Sequence, residues 1–113
     1  MAKYKTEDIR NIAIVGHGGT GKTTLAEAML FKCGAINRMG KVTEGNTVSD
    51  FTAEEKAAGY SMHLALMNAE RKDKHINILD CPGYADFTGG AYQGMAVCDT
   101  ALLCVTGADG IQV

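Results

Sequence analysis

No apolar stretch of the sequence approaches the length of a secretory h-region or a membrane span, and its first ten residues, MAKYKTEDIR, are polar. A targeted or membrane-spanning chain is therefore not expected, and a cytoplasmic one is. Neither sign of charge dominates. The 11 basic and 13 acidic residues give a net charge of -2 and are spread along the chain. That leaves no electrostatic footprint for independent binding of nucleic acid or an anionic membrane. Four cysteines show neither Cys-x-x-Cys nor a His/Cys metal spacing, which argues against a zinc site or a disulfide framework and for reduced, mostly buried thiols. There are no internal repeats and no low-complexity segments. At 113 residues, with 46% apolar residues and mean hydropathy near zero, one small soluble domain is expected.

Strand and helix patterns alternate along the chain. Ile12–Val15 is a short apolar run suited to a strand buried on both faces, and Leu25, Met29 and Leu30 lie at helical spacing within Lys22–Lys32, before Gly34 as a helix stop. Residues 35–59 form a long polar loop. Within it Thr52 and Glu55 have capping-box spacing for a small helix that Gly59 can end. YSMHLALMNAE and HINILD, separated by the charged turn ERKDK, predict an antiparallel hairpin. A weak helix over 91–97 then leads to TALLCVT, another apolar strand. The order β-α-β-β-α-β predicts an α/β domain with a partial open, mostly parallel sheet and one antiparallel strand. Ligands of such sheets bind beyond the carboxyl ends of the strands.

Two motifs fall at such ends. Gly16-His-Gly-Gly-Thr-Gly21-Lys22-Thr23 matches the P-loop pattern G-x-x-x-x-G-K-[ST]. Its glycines let successive backbone N–H groups turn inward around an anion, and the following helix adds its dipole and unpaired donors. Phosphate contacts are expected from Gly18, Gly19, Thr20, Gly21, Lys22, Thr23 and Thr24. The Lys22 ammonium would reach the outer phosphates and the Thr23 hydroxyl would ligate Mg²⁺. The second motif, Asp80-Cys-Pro-Gly83, closes a strand; there an aspartate can hold a magnesium-bound water and the Gly83 N–H can meet a γ-phosphate. From these residues alone the nucleotide is either GTP or ATP.

The stretches RNIAIVGHGGTGKTTLAEAMLF, GKVTEGNTVSDFTAEEKAAGYSM and INILDCPGYADF together resemble the GTP-binding domain of the translation elongation factor G family, particularly its elongation factor G-like paralogues. The resemblance covers nearly the whole chain. It implies a translational GTPase that binds GTP or GDP with Mg²⁺ and acts on the ribosome through further domains, with switch I over about 35–61 and switch II over about 80–95. It also implies that Ser61, aligned with the family's switch I threonine, is a magnesium ligand. Five positions depart from the family pattern. Ala58, Gly59, Tyr60 and Ser61 stand where arginine, glycine, isoleucine and threonine are usual. Gly19 replaces an aspartate, and Tyr84 replaces the histidine that orients the attacking water. Tyr84 can hydrogen-bond a water or act as a hydrophobic lid. The family's guanine-selecting N-K-x-D motif is absent, so residues 1–113 are expected to be the N-terminal portion of such a domain, truncated before the guanine-specificity strand. Self-association through uncovered strand surface is expected with it. An ATP-using P-loop enzyme and a nucleotide-binding fragment without turnover are the alternatives.

Blander expectations attach to other residues. His17 packs or bonds locally, His63 and His75 are strand residues, and Cys81 is a spacer. Met29, Met62, Met67 and Met95 fill the core, Glu54, Glu55 and Lys56 form a solvated helix face, and Gly89, Gly90 and Gly94 weaken their helix.

Overall fold

The structure, a computed structural model, describes residues 3–112; Met1, Ala2 and Val113, which belong to the expected domain span, lie outside the described residues. Strand β1 runs Ile9–Gly16, longer than the apolar run at its centre. Its polar start is satisfied across the sheet, where Asn77 donates its side-chain amide to Asn11 Oδ1 at 2.8 Å. The glycine loop follows, then helix α1, Lys22–Lys32. Gly34 is left-handed at φ 74°, and the chain turns away as Ala35 N–H donates to the Leu30 carbonyl. Helix α2, Ala53–Ala58, carries the expected capping box from Thr52 and Glu55 and ends on left-handed Gly59. Strands β2 (Ala65–Arg71) and β3 (Lys74–Asp80) form the hairpin, with Lys72 and Asp73 both at positive φ in the two-residue turn. Helix α3, Thr88–Val97, and strand β4, Thr100–Cys104, complete the order.

The sheet is ordered β2-β3-β1-β4, with β1 parallel to both neighbours and β2 antiparallel to β3. Side chains alternate across β1, so Ile14 packs with Ala26, Leu30, Met67 and Ile78 beneath α1. Ala13 packs with Leu79 and Cys81 on the other face, beneath α3. Each fully buried leucine or isoleucine here contributes about 1.5–3 kcal/mol. Ile14 lies opposite Asp80 in the register, so the start of the glycine loop and the end of β3 share one edge of the sheet.

Several expectations are corrected. Strand β2 starts at Ala65 rather than near Tyr60, because the Glu55 carboxylate takes the N–H groups of Met62 and His63 that a ladder would need. His63 is consequently not a strand residue, whereas His75 is. Glu55 itself is 1% exposed and not part of a solvated face. Met67 is buried and Met29 packs against the core, but Met62 is only half-buried and Met95 is exposed. Strand β4 is not buried on both faces. Among the described residues it pairs only with β1, leaving Leu103 72% exposed at the sheet edge. Gly90 and Gly94 are where α3 lies close to Pro82 and Cys81: a Cβ on Gly94 would sit 2.5 Å from Cys81 Sγ. Among the described residues no helix is long and apolar enough to cross a membrane.

Candidate functional site

The carboxyl ends of β1 and β3 open into a cleft of about 220 Å³ lined by Gly18, Gly19, Gly21, Lys22, Thr23, Thr24, Asp50, Tyr60, Ser61, Gly83 and Tyr84. Gly21 caps α1 in the left-handed region at φ 85° with no side-chain cap, so the first amides of the helix are left to a ligand. Thr20 does not line the cleft; its hydroxyl donates to the His17 carbonyl at 2.8 Å and braces the loop. His17 bonds locally through Nδ1, 3.0 Å from the Gly18 carbonyl oxygen, and its ring meets Tyr84 edge-on.

Lys22 is 6% exposed and donates to the His17 carbonyl at 2.6 Å. Burial lowers its pKa, opposed by the negative charge of Asp80. Asp80 is fully buried and its pKa is raised by that burial, opposed by hydroxyls donating to it from Ser49 at 2.5 Å and Thr23 at 2.7 Å. Its other oxygen, Oδ1, has no hydrogen-bond partner among the described residues. Ser61 Oγ lies 3.1 Å from Thr23 Oγ1 and donates to Asp50 Oδ1 at 2.5 Å. Asp50 is buried as well, which raises its pKa against the Ser61 hydrogen bond. Two carboxylates and three hydroxyls thus form one chain of contacts next to the lysine. A cation beside Asp80 and an anion beside Lys22 would each relieve a charge that burial disfavours. The donors are hard oxygens, which suits a small divalent cation, and the orphaned Asp80 Oδ1 is free to hold one of its waters.

Gly83 is pressed into this site. A Cβ there would collide with Lys22 Nζ and lie 2.6 Å from Gly18 N. Tyr84 covers the other side. Its ring lies so close over Gly18 that a Cβ at that position would sit 2.5 Å from Cζ, and it meets Tyr60 edge-on at 4.7 Å between ring centres. Cys81, completely buried, has its thiol pKa pushed up to about 11 by burial, which makes it unreactive and supports the spacer reading. The structure therefore brings Thr23, Ser61, Asp80, Lys22 and Gly83 together. Sequence reasoning missed Glu27, Ser49 and Asp50. The last two had one available signal, oxygen side chains in a loop that must return to the strand ends.

A mostly parallel sheet with a glycine loop feeding a helix, and an aspartate closing the adjacent strand, defines a P-loop nucleoside-triphosphate-binding domain. The model of the elongation factor Tu GTP-binding domain matches residues 7–113, and the chain belongs to that family. Elongation factor G of Gluconobacter oxydans is 38% identical over 98% of this chain, and the mitochondrial ribosome-releasing factor 2 of Culex quinquefasciatus 39% identical over 94%. A crystal structure of a Thermus thermophilus protein superposes with a TM-score of 0.90 at 41% identity, covering 93% of this chain. The chain spans 16%, 14% and 16% of those three proteins, respectively.

Proposed function

We propose that this chain is the N-terminal portion of the GTP-binding domain of a cytoplasmic, ribosome-associated translational GTPase of the elongation factor G type. The observation that carries the reading is the meeting of Thr23, Ser61 and Asp80 beside Lys22, with one Asp80 oxygen unpartnered. Lys22 and the amides of residues 18–24 hold the phosphates of GTP or GDP. Thr23 and Ser61 would hold Mg²⁺ directly and Asp80 would hold it through a water. When bound, the ion neutralises charge on the phosphates. Gly83 occupies the position from which switch II, residues about 80–95, senses a γ-phosphate, and switch I spans about 35–61.

Guanine over adenine follows from the family, since N-K-x-D does not occur in the sequence. Competition of labelled GDP by GTP and by ATP tests it: displacement by ATP at equal concentration would refute the assignment. Lys22→Ala should weaken nucleotide binding at least tenfold, about 1.4 kcal/mol; unchanged affinity would remove Lys22 from the site. The Tyr84 ring, seated on Gly18 and against Tyr60, favours a second reading in which the chain binds nucleotide without turning it over unaided. A phenol supplies no imidazole to orient an attacking water, and Gly19 adds no charge. A multiple-turnover phosphate assay separates the two.

A further inference from the structure

Gly59 is left-handed at φ 75°, which ends α2 and turns the chain into the cleft, so that Tyr60 lines it immediately before Ser61. On the other wall Tyr84 follows Gly83 directly and lines the same cleft. The two rings meet edge-on, with 4.7 Å between their centres and 64° between their planes. At that separation and angle the positive edge of one ring attracts the negative face of the other. Tyr60 also lies 6.4 Å from the Phe87 ring, and Tyr84 lies 6.0 Å from His17. One aromatic cluster therefore touches the glycine loop, the end of the long loop and the segment after β3.

The seat of Tyr84 is specific. A Cβ on Gly18 would lie 2.5 Å from Cζ and 2.7 Å from both Cε atoms, so the hydroxyl end of the ring rests over the glycine loop, where only glycine leaves it that position. Tyr60 and Tyr84 are also two of the five positions that depart from the family pattern, and they touch each other. The isoleucine usual at position 60 has no ring with which to make this contact.

Their neighbours in the chain give the contact its meaning. Ser61, next to Tyr60, has Oγ 3.1 Å from Thr23 Oγ1 at the candidate metal site. Gly83, next to Tyr84, stands against Lys22 where a γ-phosphate would be met. Each tyrosine thus adjoins one half of the cleft. A contact made between the two halves when both are occupied stabilises that state beyond the sum of its parts, which is a coupling free energy. We propose that the Tyr60–Tyr84 pair couples the divalent-cation half of the cleft to its γ-phosphate half, and so sets how strongly this chain prefers a nucleoside triphosphate to a diphosphate when magnesium is present. The proposal rests on the nucleotide and magnesium reading of the cleft. The pair contributes only once both ligands are in place, and by reciprocity it tightens magnesium binding by the same factor as it tightens triphosphate binding.

The test compares equilibrium binding of mant-GDP and of the non-hydrolysable triphosphate mant-GMPPNP to the purified 113-residue protein, each in MgCl₂ and in EDTA. In magnesium, Tyr60→Ala should lower the preference for mant-GMPPNP over mant-GDP about fivefold, mid-range for one edge-on aromatic pair, while Tyr60→Phe, which keeps the ring, should hold it within about 1.5-fold. In EDTA, Tyr60→Ala should leave the preference where it is. Added to Tyr84→Ala, it should lower the preference no further, because the contact is already gone. Both side chains are more than a third exposed, at 37% and 38%, so truncation leaves the core intact. Should Tyr60→Ala nonetheless not fold, Tyr60→Ile, carrying the residue usual in the family, is read by the same ratio. A tyrosine that only packs would weaken both nucleotides alike and leave the preference unmoved, and that outcome overturns the proposal. So does a loss in EDTA equal to the loss in magnesium, or a further loss in the double variant. If the wild type binds neither nucleotide, or binds both regardless of magnesium, the reading of the cleft fails and the coupling with it; magnesium-dependent binding with an unmoved preference sinks the coupling alone.

Discussion

Gly18 and Gly83 both face space that a methyl group would fill, yet replacing them with alanine should have different consequences. Neither has the left-handed backbone that disfavours a side chain, so the difference lies in what the methyl meets. At Gly18 the three nearest atoms all belong to the Tyr84 ring, the far end of a 38% exposed side chain that can swing outward. At Gly83 they include the backbone of Gly16 and Gly18, which cannot. Displacing the ring forfeits its edge-on contacts with Tyr60 and His17, about 0.5–1.5 kcal/mol for an aromatic pair. The lower unfolded-chain entropy of alanine returns about 0.4–1 kcal/mol. Gly18→Ala should therefore lie within about 1 kcal/mol of wild type, whereas Gly83→Ala should lose about 1–3 kcal/mol to overpacking. In a Tyr84→Ala background Gly18→Ala should become stabilising by about 0.4–1 kcal/mol, and Gly83→Ala should cost what it did before. Urea unfolding followed by far-UV circular dichroism measures all of these. If the effect of Gly18→Ala is the same with and without Tyr84, to within about 0.3–0.5 kcal/mol, the ring does not rest on Gly18 and the reasoning fails.

Glu55→Gln should destabilise by about 2 kcal/mol, since hydrogen bonds to a charged acceptor are each worth about 1.5–3 kcal/mol and glutamine keeps one acceptor. Burial opposes ionisation of Glu55, but hydrogen bonds from Met62, His63 and Thr52 outweigh it and lower its pKa below the ordinary 4.5. Its contribution is thus complete above about pH 4.5 and lost as pH falls through the lowered folded value, with the His63 ring 3.6 Å away facing the same carboxylate oxygen. Acid unfolding of Glu55→Gln that runs parallel to wild type through this window would contradict the assignment. The 113-residue chain should self-associate through the edge strand β4, where Leu103 stands exposed, as does Val105 just beyond the strand; a monomer by light scattering at high concentration would count against this. Tyr84→His should not by itself confer turnover on the 113-residue chain in a phosphate-release assay, because a positioned water needs an ordered switch II as well; rapid turnover would make position 84 the sole deficiency.

Features written in local pattern were legible in the sequence: the glycine loop, the hairpin, and the Thr52–Glu55 cap all depend on residues within a few positions of one another. So was the meeting of Thr23 with Asp80, because both motifs end strands of one parallel sheet. The burial of Glu27 and of Glu55 was not legible. A glutamate on an otherwise ordinary helix reads as solvated, and only the path of a loop 13 to 21 residues away buries Glu27. The apolar run of β4 misled for a related reason: hydrophobicity states a preference for burial, while the neighbour that covers a strand is set elsewhere in the chain.

Two buried glutamates grip the long loop, Glu27 through the N–H groups of Gly40 and Val48 and Glu55 through those of Met62 and His63, and divide it into segments with different freedom to vary in evolution. Residues 35–39, between the end of α1 and the first gripped amide, touch neither the metal centre nor the glycine loop through any hydrogen bond among the described residues. Lengthening a flexible loop costs only about 0.6 kcal/mol per doubling, so insertions there should be absorbed without disturbing Ser49. Between Val48 and Met62 the same insertion would separate hydroxyls whose spacing is fixed at both ends. Relatives should therefore differ in length before Gly40 and keep their length from Val48 to Met62, a prediction that an alignment of their sequences can check directly.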